Sequence, residues 1–122
     1  MNNREIKWLS KPRSHNYPAA LSYLSLIYPR TVSKKFVSEL RTTPVITFKA
    51  KDIFRASALS LLGVSNYHVK VDKAKIKKGI PLSPILLVRD SANGKVIIAD
   101  GYHRLCACYS FDEDSIIPCK IV

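Results

Sequence analysis

Along "PAALSYLSLIY", residues 18–28, apolar side chains recur at helical spacing: Ala20, Tyr23, Leu24, Ile27 and Tyr28 form one stripe. The pattern predicts a helix with Pro18 in its first turn, ended by Pro29. A second helix follows, capped by Thr31 or Ser33, with Val32, Phe36, Val37 and Leu40 as its buried face up to Arg41. The two are expected to pack as a hairpin. "PVITFK", residues 44–49, is β-branched and aromatic and predicts a short strand. "DIFRASALSLLG" then predicts a helix capped by Asp52 and ended by Gly63. After a loop through Asn66 and His68, "VDKAKIKKG" predicts a short helix with Asp72 as cap and Gly79 as terminator. "PILLVRD" and "KVIIAD" flank "SANG", a hairpin whose glycine supplies a positive φ. The apolar run breaks at Asp100-Gly101, a helix spans about Tyr102 to Phe111, "DEDS" turns the chain and "IIPCKIV" closes it as a strand.

Helices first, then strand, helix, helix, hairpin, helix and strand describe a mixed α+β domain. With 122 residues, 47% of them hydrophobic, the chain has the length of one domain with a real core. Residues 1–16 read as a basic N-terminal arm anchored by Trp8 and Leu9, and residues 17–122 as a single domain. No run approaches the roughly 18 apolar residues of a membrane span, and the N-terminus lacks the apolar centre of a secretory signal, so a cytoplasmic location without a membrane partner is expected. Cys106, Cys108 and Cys119 are expected to be reduced, the first two on a helix and the third in a strand.

Twenty Lys and Arg against nine Asp and Glu give a net charge of +11, which concentrates phosphate-bearing partners such as nucleotides, DNA or RNA around the chain. A solubilising surface is the plainer explanation. Lys73, Lys75, Lys77 and Lys78 make the densest positive patch, a candidate nucleic-acid contact. On a short helix they cannot all face one partner, so a solvated face is the commoner outcome.

The break at Asp100-Gly101 is the strongest chemical signal. A helix start offers unpaired N–H groups and the positive end of the dipole to an anion, and Gly101 lets that anion approach the main chain. Arg104 adds a donor fork matched to phosphate oxygens, and His103 is a hydrogen-bonding or proton-transfer group near neutral pH. Asp100 opposes a phosphate unless it caps the helix from the far side or shares a metal with the ligand; capping is its simpler role, and packing is that of Tyr102. A second cluster lies in "FKAKDIFRAS". There Asp52 and Arg55 are neighbours on one helical face, making either a cap with a surface ion pair or a wider site. In the wider reading Lys51 and Arg55 complete an anion pocket opposite Arg104, with Asp52 as a metal ligand or base. His68 sits in a loop that the pattern does not position.

Residues 71–122 resemble the ParB/sulfiredoxin superfamily in the order of their parts: a short helix ending in Lys-Gly, Pro-Ile and a strand, an Asn-Gly hairpin, Gly-x-His-Arg opening a helix, and a closing strand. "HNYPAALSYLSLIYP" followed by "PVITFKAKDIFRAS" looks like a group of small bacterial ParB-like proteins of undefined activity. The resemblance implies a ParB/sulfiredoxin-like mixed sheet with packed helices, here preceded by the N-terminal helical hairpin. It also implies that the Gly101, Tyr102, His103 and Arg104 segment binds the phosphates of a nucleotide; whether Mg2+ accompanies that nucleotide is left open by the sequence. Sulfiredoxins carry a catalytic Cys where this chain has Tyr102, so sulfinic-acid reduction does not carry over. ParB proteins have a Glu-Arg-Arg run of which only Arg104 corresponds, so cytidine preference and DNA clamping do not carry over either.

The superfamily includes nucleotide hydrolases, a reductase and a free-serine kinase, so the resemblance gives a ligand class before a reaction. The leading expectation is a domain that binds a nucleotide or other phosphorylated small molecule. As an enzyme it would be a nucleotide hydrolase, nuclease or phosphotransferase, with His103, Asp100 or Asp52 handling protons or metal and Lys51 and Arg55 offsetting negative charge. A nucleic-acid-binding module without catalysis and a protein-interaction module of inhibitor or antitoxin type are the alternatives.

Overall fold

A computed structural model describes residues 5–61 and 66–122. Its centre is a strand buried on both faces. β2 (Ile85–Asp90) turns Ile85 and Leu87 to one side and Leu86 and Val88 to the other, all of them buried. This is the pattern of a strand covered by helices on both sides rather than by water on one. A 3-10 turn at Ser91–Asn93 and Gly94, at φ 66°, carry it into β3 (Lys95–Asp100), its antiparallel neighbour. The hairpin is the one the sequence predicts.

β4 (Ile116–Ile121) then enters on the opposite side of β2 and runs parallel to it, after α5 (Tyr102–Phe111) has crossed the sheet. β1 (Ile46–Lys49) pairs antiparallel with β4, so the sheet order is β1-β4-β2-β3. The predicted strand at 44–49 is thus shorter by its first two residues.

On one face lie α1 (Asn16–Leu24) and α2 (Arg30–Thr42), whose Ala20, Leu24, Val37 and Leu40 pack on Leu86, Val88 and Ala99. Lys120 is buried on the same side, its ammonium lying over the Tyr17 ring (5.8 Å to the centroid) and donating to the Arg41 carbonyl (3.1 Å), one of the last carbonyls of α2. α3 (Ala50–Ser57), α4 (Tyr67–Lys78) and α5 cover the other face around Ile53, Phe54, Val69, Ile76 and Leu105. The architecture is α+β.

Several boundaries differ from the periodicity. α1 stops at Leu24, and Tyr23 and Ile27 stand exposed, because the turn before Pro29 closes on the Leu24 carbonyl. Neither Thr31 nor Ser33 caps α2; Pro29 is its N-cap, and Ser33 is buried with its hydroxyl donating to the Tyr28 carbonyl. α3 starts two residues before Asp52, since the N–H groups of Ala50 and Lys51 donate to the carbonyls of Ser115 and Glu113 and leave that carboxylate nothing to cap. It ends at Ala58 in the left-handed region, well short of Gly63, which lies outside the described residues. α4 starts four residues before Val71, capped by the Asn66 side chain, which accepts from the N–H groups of His68 and Val69; Asp72 is therefore a mid-helix residue. Gly79 ends the helix as expected.

The arm is stitched to the body. Leu9 N–H donates to the Leu82 carbonyl and Leu82 N–H to the Lys7 carbonyl, both at 2.8 Å, and Ile6 and Trp8 pack on the core. Further along, Ser83 Oγ accepts from Arg13 N–H (3.1 Å) and donates to Asn16 Oδ1. Among the described residues no helix is long and apolar enough to cross a membrane.

Candidate functional site

β3 ends at Asp100 beyond a register shift between Leu86 and Leu87, and Gly101 then turns the chain into α5 at φ 108° and ψ 14°. A Cβ there would stand 2.9 Å from both Arg104 Nη2 and Ile85 Cγ1, so the position admits only glycine in conformation and in space. The sequence reading gives that space to an anion. Arg104 and Ile85 fill it instead.

Asp100 does not cap α5, which carries no side-chain cap. One turn on, Arg104 Nη2 donates to Asp100 Oδ2 (3.2 Å) and to the Pro84 carbonyl (3.4 Å). The two side chains retain 17% and 18% exposure, which makes theirs a mostly desolvated ion pair. Among the described residues Arg104 Nε is buried with no hydrogen-bond partner, a costly arrangement within a fold.

α4 forms the opposite wall. Its cap at Asn66 sets His68 and Asp72 one turn apart, facing α5. The His68 and His103 rings meet with centroids 4.9 Å apart; Tyr67 lies 5.5 Å from His68 and Tyr102 5.6 Å from His103. Burial pushes the Asp72 carboxyl above its ordinary range, against the opposing pull of Lys75, Arg104 and the two imidazoles. Burial also pushes His103 below the ordinary imidazole value; the charges of His68 and Arg104 add to this and Asp72 opposes it. Lys75 Nζ stands 3.9 Å from Asp72 Oδ1.

These side chains line a polar cleft of about 280 Å3 between α4 and the start of α5. A second lobe of about 280 Å3 runs along the arm, lined by Arg13, His15, Asn16 and Ser83. Asp72, Lys75 and Arg104 line both lobes.

Of the residues singled out in the sequence, Asp100, Gly101, Tyr102, His103, Arg104 and Lys75 come together here. Tyr102 also packs on the core, and its hydroxyl donates to the Ser60 carbonyl. The second cluster does not join them. Lys51 Nζ pairs with Asp114 at 2.8 Å, Arg55 is exposed without an ion pair to Asp52, and Asp52 lines a separate apolar pocket of about 220 Å3 with Phe48, Ile53 and Val96. Lys73, Lys77 and Lys78 lie outside the cleft.

Of the cleft residues, the sequence reading left His68 in an unplaced loop, took Asp72 for a helix cap and did not single out Tyr67. The signal was present in Asn66 as a cap with Val69, Asp72 and Ile76 following at i+3, i+6 and i+10 on the inner face. Among the described residues no three His, Cys, Asp or Glu side chains converge as metal ligands. Compared with family models, curated proteins and solved structures, the chain matches none.

Proposed function

We propose that the chain is a ParB/sulfiredoxin-like domain whose cleft between α4 and α5 binds a nucleotide or other phosphorylated small molecule. The observation that carries this reading is the convergence on the start of α5, which has no side-chain cap, of Arg104, Lys75 and the His68–His103 pair. The N–H groups that open a helix, a guanidinium and an ammonium are the donors that phosphate oxygens take. The phosphate lies against the amides of Tyr102 to Arg104 rather than over the Gly101 Cα, where Arg104 and Ile85 stand. Asp72 and Asp100 moderate the positive charge and orient their cationic partners.

The reaction class these side chains would serve is phosphoryl transfer or phosphate-ester hydrolysis. His103, held below the ordinary imidazole value, is largely neutral near pH 7 and so has a ring nitrogen ready to accept a proton. Asp100, committed to Arg104, is a positioning group in this scheme. Magnesium would arrive on the nucleotide's own phosphates, with Asp72 and Asp100 the carboxylates nearest to them in the cleft.

A thermal-shift series with nucleotides and phosphosugars, with and without magnesium, tests the proposal. A ligand at about a hundred times its dissociation constant stabilises the fold by about 2.7 kcal/mol, and Arg104→Ala removes the shift. No stabilisation by any nucleotide or phosphosugar in either condition overturns it.

A further inference from the structure

We infer that the ligand is a segment of single-stranded polynucleotide, threaded through both lobes of the cleft, rather than a mononucleotide held in one. The inference rests on the phosphate reading above and adds two observations that reach beyond the helix start.

The first is a continuous row of four rings. Tyr67, His68, His103 and Tyr102 follow one another at centroid separations of 5.5, 4.9 and 5.6 Å along one rim of the first lobe. Tyr67, at the outer end, is 71% exposed. A tyrosine left this open gains nothing from burial in the fold, whereas a ring face beside cations is the platform on which an unpaired base stacks.

The second is the length of the groove. The two lobes adjoin at Lys75 and Arg104, and the second adds Arg13, whose side chain is exposed while its backbone N–H is fixed by Ser83. Arg13, Arg104 and Lys75 thus place cations along both lobes, beside the shared Asp72 carboxylate, with the row of four rings in the first lobe and the His15 imidazole in the second. A mononucleotide has one phosphate-bearing end and one base and would leave one lobe unused. A strand sets a base on Tyr67 and carries successive phosphates past Lys75 and Arg104 to Arg13. A duplex keeps its bases paired and has none to offer the ring row. The net charge of +11 supports the same class of partner.

Equilibrium binding of fluorescent tetranucleotides, as RNA and as DNA, is to be measured beside a nucleoside monophosphate and a short duplex. A single strand of one or both sugar types binds about tenfold or more tighter than the monophosphate and more tightly than the duplex. Arg13→Ala, at an exposed position that lines only the second lobe, removes most of that advantage and leaves monophosphate binding unchanged, whereas Tyr67→Ala weakens binding of every probe that carries an unpaired base. Arg104→Ala weakens both. Three results overturn the inference: tetranucleotides that bind no tighter than the monophosphate, a duplex that binds as well as the strand, or an advantage unaffected by Arg13→Ala. In the first of these the phosphate site stands and only the strand path fails. Absence of binding by every probe removes the phosphate site and the strand path together.

Discussion

The imidazole of His103, from the first turn of α5, stands 4.9 Å from that of His68, from the first turn of α4. Two rings that close do not both take up a proton readily, so the pair holds His103 toward its neutral form in addition to the effect of burial. Replacing His68 by Gln removes one of the two main causes. The His103 titration midpoint, followed by the NMR shift of its ring protons, is expected to move up toward the ordinary imidazole value. A midpoint that stays where it was would show that the rings do not communicate.

The same depressed value has a stability consequence. A group whose folded pKa lies below its unfolded one contributes stability above the unfolded value, near 6.5, and loses it as pH falls through the folded one. His103→Gln is therefore expected to lose less melting temperature than the parent on acidification from pH 7 to 5. Equal losses in the two proteins would contradict this.

For Asp72 the sign is reversed. Its folded pKa is raised by burial above the ordinary 3.8, so its contribution is fully present below that value and is lost as pH rises through the folded pKa. Asp72→Asn keeps the shape and removes the buried charge. At pH 7 the variant is expected to be at least as stable as the parent, with the difference shrinking below the ordinary carboxylate value. A large destabilisation at pH 7 would mean that the contact with Lys75 outweighs the cost of burial.

Asp100 and Arg104 are expected to respond oppositely in binding. Arg104→Ala leaves a mostly buried carboxylate without its partner, costing about 1–3 kcal/mol in urea unfolding, and abolishes phosphate binding. Asp100→Asn keeps an acceptor near Nη2 but removes a negative charge from the cleft, and calorimetry is expected to find phosphate bound several-fold more tightly. Weaker binding by Asp100→Asn would mean that Asp100 positions the guanidinium more than it repels the ligand.

Gly101→Ala meets two obstacles at once, the positive φ and the atoms 2.9 Å from the new methyl group. Ile85 is a core residue of the central strand and Arg104 is tied to Asp100, so neither yields freely. A loss of about 1–3 kcal/mol is expected in denaturant unfolding, with weakened ligand binding as the guanidinium is displaced.

What the sequence made legible is where local chemistry and tertiary contacts agree. The β2–β3 hairpin carries its own turn glycine, α5 follows a glycine at a break in an apolar run, and Gly79 stops α4. The misreadings have separate physical origins. Asp52, Thr31 and Ser33 have the right chemistry for caps, but partners distant in sequence, such as the carbonyls of Glu113 and Ser115, had already met the need at α3. Gly101 was read as room for a ligand because the return of Arg104 over it is a side-chain event that no spacing reveals. Lys51 and Arg55 look like allies of Arg104 along the chain, yet the loop bearing Asp114 engages Lys51 away from the cleft. His68 was missed because the apolar run before Asn66 reads as a continuation of the preceding helix to Gly63, which leaves the Asn66 cap inside an apparent loop.

β4, which follows every other strand in the chain, lies between β1 and β2. During synthesis on the ribosome β1 therefore emerges long before the neighbour it needs, and its Ile46 and Phe48 have no sheet to join until residues 116–121 arrive. Such late, long-range closure slows folding and leaves a strand edge open to mispairing in the meantime. In the interval between the two, that unpaired edge is the nascent sheet's most exposed surface for mispairing.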